Sequence, residues 1–121
     1  ITIIDDAFNS NPTGSAMALD VLSRMKGGRR IVITPGMIEL GERTAELNRQ
    51  FGQKIASCAD IAIVVGHYNR DAIVDGIKSE GMADEAVLTA DTFAQAQLML
   101  QGFVKAGDTV LYENDLPDTF K

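Results

Sequence analysis

Two short stretches hold most of the side chains that could do chemistry: Asp5-Asp6-Ala7-Phe8-Asn9-Ser10-Asn11-Pro12 and Gly36-Met37-Ile38-Glu39-Leu40-Gly41. Both offer carboxylates and carboxamides, which suit binding and polarisation rather than nucleophilic attack. One or two carboxylates can hold a magnesium ion whose other ligands are waters and phosphate oxygens, but nothing in the spacing fixes such a site. Each residue also has a plain structural use, because Asp and Asn are common turn residues that bond their own backbone. Nucleophilic catalysis finds little support elsewhere. His67 is the only histidine and no Gly-x-Ser-x-Gly elbow is present, so His67 reads as a surface loop residue after Gly66. Cys58 is the only cysteine, which excludes intrachain disulfides and cysteine-based metal sites and fits a buried thiol. Neither Gly-x-Gly-x-x-Gly after the first strand nor a Gly-x-x-x-x-Gly-Lys-Thr loop occurs, so the chain alone is a poor holder of ATP or a dinucleotide.

The elements that must position these residues follow from apolar patterning. Ile1-Thr2-Ile3-Ile4 is apolar and β-branched with no period-2 polarity, as expected of a strand covered on both faces. Asn11 is a good N-cap and Pro12 fits the first helical position. A helix is predicted to about Met25 through Ala18, Val21, Leu22 and Met25, stopped by Lys26-Gly27-Gly28. A strand over 30–34 breaks at Pro35-Gly36, and a helix over 42–58 carries Leu47, Phe51 and Ile55 on one face. Residues 60–66 form a third, central strand, followed by the loop His67-Tyr68-Asn69 and a helix with Ala72, Ile73, Gly76 and Ile77 inward. A weaker strand over 85–89 belongs nearer an edge. Asp91 or Thr92 caps a fourth helix with Ala96, Leu100, Phe103 and Val104, and Gly107-Asp108 turns into a last strand over 109–112.

This alternation specifies an α/β three-layer sandwich, a mostly parallel Rossmann-like sheet with helices on both faces. In such a fold the carboxyl ends of the strands share one edge, where ligands bind. Asp5, Asp6, Asn9, Glu39, His67, Tyr68, Asn69 and the stretch from Glu113 to Asp118 are all expected there.

With 121 residues, 45% hydrophobic and 23% charged, the chain is one globular domain, residues 1–121. A net charge of −6 argues against general nucleic-acid binding, and Lys26-Gly27-Gly28-Arg29-Arg30 reads as a solvated turn with a glycine C-cap. The apolar runs are far shorter than a membrane helix and no signal peptide opens the chain, so a cytoplasmic setting is expected. Because the sequence opens at Ile1, inside a strand and without methionine, it is expected to be a domain excised from a larger protein.

The first motif and the helix after it, with Ala18-Leu19-Asp20-Val21-Leu22, resemble the start of the C-terminal domain of Mur ligases. They are most similar to the branch that adds D-alanyl-D-alanine to a UDP-muramoyl tripeptide, whose pattern is Asp-Asp-x-Tyr-Asn-Ala-Asn-Pro. The second motif is similar to that branch's Gly-Asp-Met-x-Glu-Leu-Gly. The resemblance covers essentially the whole chain. It implies a three-domain, ADP-forming carboxylate–amine ligase of cell-wall synthesis, with a UDP-linked muramoyl peptide on one domain and ATP and Mg2+ held mainly by a central domain. The present domain would then close over both and position the amine of an amino acid or dipeptide. An acyl phosphate formed on the carboxyl substrate is attacked by that amine, giving an amide, ADP and phosphate. The absence of a phosphate loop here is then explained, and this domain alone would be inactive. By the same resemblance Asp6 and Asn9, with Asp5, Asn11 and Glu39, contribute to the ATP and substrate site.

Departures from the pattern are Phe8 for tyrosine, Ser10 for alanine, and no aspartate before Met37. In place of the family's basic Lys-Gly-Ser-Arg loop stands Glu113-Asn114-Asp115-Leu116-Pro117-Asp118. Glu113, Asn114, Asp115 and Asp118 are therefore candidate specificity residues, and the amine substrate stays open. A folylpolyglutamate or polyglutamate type of ligase shares the same domain design. A stand-alone flavodoxin-like binding module is the reading from a different class.

Overall fold

In the computed structural model, which describes residues 1–6, 12–37 and 41–113, strands and helices alternate as the patterning requires. The order is β1 (Thr2–Asp6), α1 (Pro12–Ser23), β2 (Arg30–Thr34), α2 (Thr44–Cys58), β3 (Ile61–Val65), α3 (Arg70–Ser79), β4 (Val87–Ala90), α4 (Phe93–Gln101) and β5 (Thr109–Glu113). Short 3-10 turns at Gly41–Arg43 and Asp84–Ala86 precede α2 and β4. Among the described residues the strands form one parallel sheet in the order β1-β5-β2-β3-β4.

That order explains where the helices lie. From β1 to β4 the chain steps in one direction, so right-handed crossovers put α1, α2 and α3 on one face; the return from β4 to β5 sends α4 to the other. Each face buries its own core. Leu19, Leu22, Val32, Phe51, Ile55, Val64, Ile73, Ile77 and Leu111 pack between the sheet and α1–α3. Ile31, Ile33, Ile63, Val65, Val110, Ala96 and Leu100 pack between the sheet and α4. Full burial of such a side chain contributes roughly 1.5–3 kcal/mol.

Several sequence expectations change. β1 is an edge strand rather than one covered on both faces, and Ile3 is 54% exposed, because β5 inserts between β1 and β2. Leu19 takes the inward place on α1 that Val21 was expected to hold, and Val21 is exposed. Glu42 and Arg43, expected to open the second helix, lie instead in the 3-10 turn at Gly41–Arg43. Phe103 and Val104 pack against the α4 core from beyond the end of that helix. Thr92, not Asp91, is the N-cap of α4, its side chain accepting from the Gln95 N–H.

The amino edge of the sheet is closed by charge: Lys26, Gly27 and Gly28 are exposed, as a solvated turn requires, but Arg29 and Arg30 are half-buried and paired with Asp108 and Asp60. Buried Asp108 accepts from the Arg29 backbone N–H at 3.0 Å, from Arg29 Nη2 at 2.9 Å and from the Lys105 N–H at 2.8 Å. Arg29 Nη2 also donates to the Phe103 carbonyl at 2.6 Å. The Arg29 guanidinium, helped by the two backbone donors and opposed by burial, lowers the Asp108 pKa to about 2. Just before β3, Asp60 accepts from the N–H of Arg30 on β2 at 2.8 Å. Cys58 is a buried free thiol.

Candidate functional site

At the carboxyl edge, β1 runs through both aspartates, so Asp5 and Asp6 belong to a strand and not to the loop after it. They lie in register with Tyr112 and Glu113 of β5. Asp5 is exposed. Asn9 and Asn11 fall outside the described residues, as do Glu39, Asn114, Asp115 and Asp118. Glu113 departs from the expectation of an acidic loop: it ends β5 and is fully buried. Two residues beyond Leu111, it lies on the sheet face that α1 covers. Ser15 in the first part of α1 and Thr34 at the end of β2 are also buried, and all three have polar partners. A buried polar layer thus underlies this end of the sheet.

The described start of the second motif is held by buried hydrogen bonds. Gly36 has φ +84°, and its N–H donates to Thr34 Oγ1 at 2.9 Å. A Cβ there would lie 2.6 Å from Ile73 Cδ1 and 2.8 Å from Asn48 Oδ1, so only glycine fits this turn. Asn48 on α2 is fully buried; its Oδ1 accepts from the Met37 N–H at 2.8 Å, and its Nδ2 donates to the Met37 and Thr44 carbonyls, each at 2.9 Å. Asn69, just before α3, donates from Nδ2 to the Pro35 carbonyl at 3.2 Å and to the Met37 carbonyl at 3.1 Å. The third loop is thereby joined to the second. Asn69 was expected at this edge, and it faces inward as a structural residue. Asn48 was missed, although a carboxamide three residues before Phe51 and seven before Ile55 interrupts an apolar helical stripe and is legible as an anomaly.

Farther along the edge, His67 and Tyr68 are exposed. His67 Nε2 lies 2.9 Å from Asp91 Oδ1, which also takes Arg70 Nη2 at 3.2 Å. Arg70 donates in addition to the Ala90 carbonyl at 3.1 Å. Beside Met37, a groove of about 170 Å³ is lined by Pro12, Ala16, Leu47, Gln50, Phe51 and Lys54. Small-molecule pockets run from roughly 300 Å³ upward. Among the described residues no group of three His, Cys, Asp or Glu side chains converges on a point, so they form no metal cage. No described helix is long and apolar enough to cross a membrane.

A doubly wound parallel sheet with helices on both faces defines the class: an α/β domain of the kind that takes ligands at the carboxyl ends of its strands. The family is narrower. The chain belongs to the Mur ligase family, matching its glutamate ligase domain over residues 1–112. Similar solved structures include the MurF ligase from Thermotoga maritima in complex with ADP, at 23% identity and a TM-score of 0.74 over 93% of this chain. They also include two structures of MurF from Acinetobacter baumannii. Both are 22% identical to this chain, with TM-scores of 0.75 over 93% of it and 0.69 over 94%. At these identities the likeness is one of fold. This chain spans 24–25% of the length of those neighbours.

Proposed function

We propose that this chain is the C-terminal domain of an ATP-dependent amide ligase of peptidoglycan precursor synthesis, acting in the cytoplasm. In this reading its carboxyl edge closes over the ATP and acyl-phosphate site and positions the amine of an amino acid or dipeptide. The observation that carries the reading is the match to the Mur ligase glutamate ligase domain over residues 1–112, joined to a carboxyl edge whose Pro35–Met37 segment is firmly braced by buried hydrogen bonds from Thr34, Asn48 and Asn69. Such an edge suits one wall of a site whose other wall is a second domain. Amide formation needs the amine held against the activated acyl group with water kept out, and domain closure supplies both.

Asp5, Asp6, Asn9, Asn11 and Glu39 are the residues assigned to that wall, where carboxylates favour an incoming ammonium. Glu113, Asn114, Asp115 and Asp118 are assigned to the choice of amine. ATP and Mg2+ are assigned mainly to a central domain, because this sequence carries no Gly-x-x-x-x-Gly-Lys-Thr phosphate loop. The UDP-linked muramoyl peptide is the carboxyl substrate and the central ATPase domain the intramolecular partner.

The test is made in the full-length protein. Asp6→Asn and Asn9→Ala should each lower amine-dependent ADP release by roughly ten- to a hundredfold, the loss expected of a misplaced reacting group. The unfolding free energy should change by less than about 1 kcal/mol, within the range of surface substitutions and small losses. Wild-type turnover in both variants would remove these residues from the site. Ligase activity in the separated domain would overturn the division of labour.

A further inference from the structure

We propose that Asn48, together with Asn69, is a positioning residue that fixes the Pro35–Met37 segment at the start of the second motif and couples it to residues 67–69 after β3. The proposal rests on the ligase reading above. Three buried side chains from three elements converge on three consecutive residues: Thr34 of β2, Asn48 of α2 and Asn69 at the start of α3 all bond the backbone of Pro35, Gly36 or Met37. Asn48 pairs with both the N–H and the carbonyl of Met37, as a neighbouring strand would, and its remaining N–H is taken by Thr44. Such a two-point hold fixes direction as well as position. The Met37 carbonyl receives a second donor from Asn69, so α2 and α3 grip the same peptide group.

Burying two carboxamides is unfavourable unless their bonds are made. Here those bonds go almost entirely to the one segment that leads into residues 38–40. A satisfied network of this kind specifies one arrangement. Where a reacting group must be placed to a fraction of an ångström, a displacement of about 1 Å costs on the order of a hundredfold in rate.

The experiment uses the full-length protein and four variants. Asn48→Asp keeps the acceptor for the Met37 N–H and loses both donors. Thr34→Val removes the hydroxyl at nearly constant shape, and Thr34→Ser restores it. Ile63→Val, in the α4 core away from the clamp, is the stability control. Amide exchange of the peptide spanning 35–41 is read beside kcat and KM for ATP and for the amine. Asn48→Asp and Thr34→Val should speed that exchange, and lower kcat, by about tenfold or more, with KM for ATP within about twofold. Thr34→Ser and Ile63→Val should keep wild-type kcat. Unchanged exchange in both Asn48→Asp and Thr34→Val overturns the clamp itself. Faster exchange with unchanged kcat overturns the positioning role, and so does a loss of kcat in Ile63→Val matching that in Asn48→Asp. If the wild-type protein forms no amide, the ligase reading and the positioning role built on it both fall, while the exchange result still decides whether the clamp holds.

Discussion

The two edges of the sheet are built from different chemistry. At the amino edge the connections are tied by charge, with Arg29 on Asp108 and Arg30 on Asp60. At the carboxyl edge the loop root is held by neutral groups, Thr34, Asn48 and Asn69. Of the described carboxylates there, Asp5 and Asp91 are exposed, whereas Glu113 is buried. Charge pairs join strands well but fill the local field. Carboxamides brace a loop without adding net charge, which leaves the field of that edge to its carboxylates and to whatever approaches them.

The largest expected effect lies at the amino edge. Asp108→Ala strips the acceptor from Arg29 and from two backbone N–H groups, and should cost about 3 kcal/mol in denaturant unfolding. That is the low end for breaking a buried pair, because Arg29 is itself 34% exposed. The pair also has a pH signature. Its folded-state pKa lies below the ordinary value of 3.8, so its contribution is complete above that value and is lost as pH falls through about 2. Asp108→Asn should therefore lose less stability than the wild type over that interval. Parallel curves would place the buried charge elsewhere.

A smaller loss is expected where α2 crosses α3, the contact that sets the distance between Asn48 and Asn69. A Cβ at Gly76 would overlap the Arg49 carbonyl, and one at Gly52 would overlap that of Ile73, so the helices touch backbone to backbone. Gly76→Ala should cost roughly 1–3 kcal/mol by overpacking. It should also speed amide exchange at Met37, since separating the helices pulls the two carboxamides apart. Stability lost without faster exchange at Met37 would mean that the clamp does not depend on this crossing.

The periodic parts of this architecture were legible in the sequence. β2 spans the anticipated residues, and Pro12 opens α1. Unbroken apolar runs such as 61–65 signal a covered strand, and β3 is one. Strand order was not legible: Ile1-Thr2-Ile3-Ile4 reads as a covered strand, and only the insertion of β5 beside it reveals an edge. The polar bracing was partly legible. Asn48 stands out against Phe51 and Ile55, whereas its partner is a backbone amide that any residue could supply. Glu113 shows the opposite failure, because an acidic run suggests solvent and the sheet buries its first member. Composition cannot tell the end of a strand from the start of a loop.

The smallest effect is expected within the carboxyl edge itself, and it separates the braced part from the open part. Asp91 meets both His67 and Arg70, yet its side chain is 64% exposed and that of His67 69%. Exposed pairs are screened and lose side-chain entropy when they form, so they contribute about 0–1 kcal/mol. Arg70 keeps its bond to the Ala90 carbonyl when Asp91 is replaced. Asp91→Asn should therefore shift unfolding by less than about 0.5 kcal/mol and leave exchange at Met37 unchanged. A loss near that of Asp108→Ala would mean that the β3–β4 end is braced by charge after all, and the contrast between the two edges would fail there first.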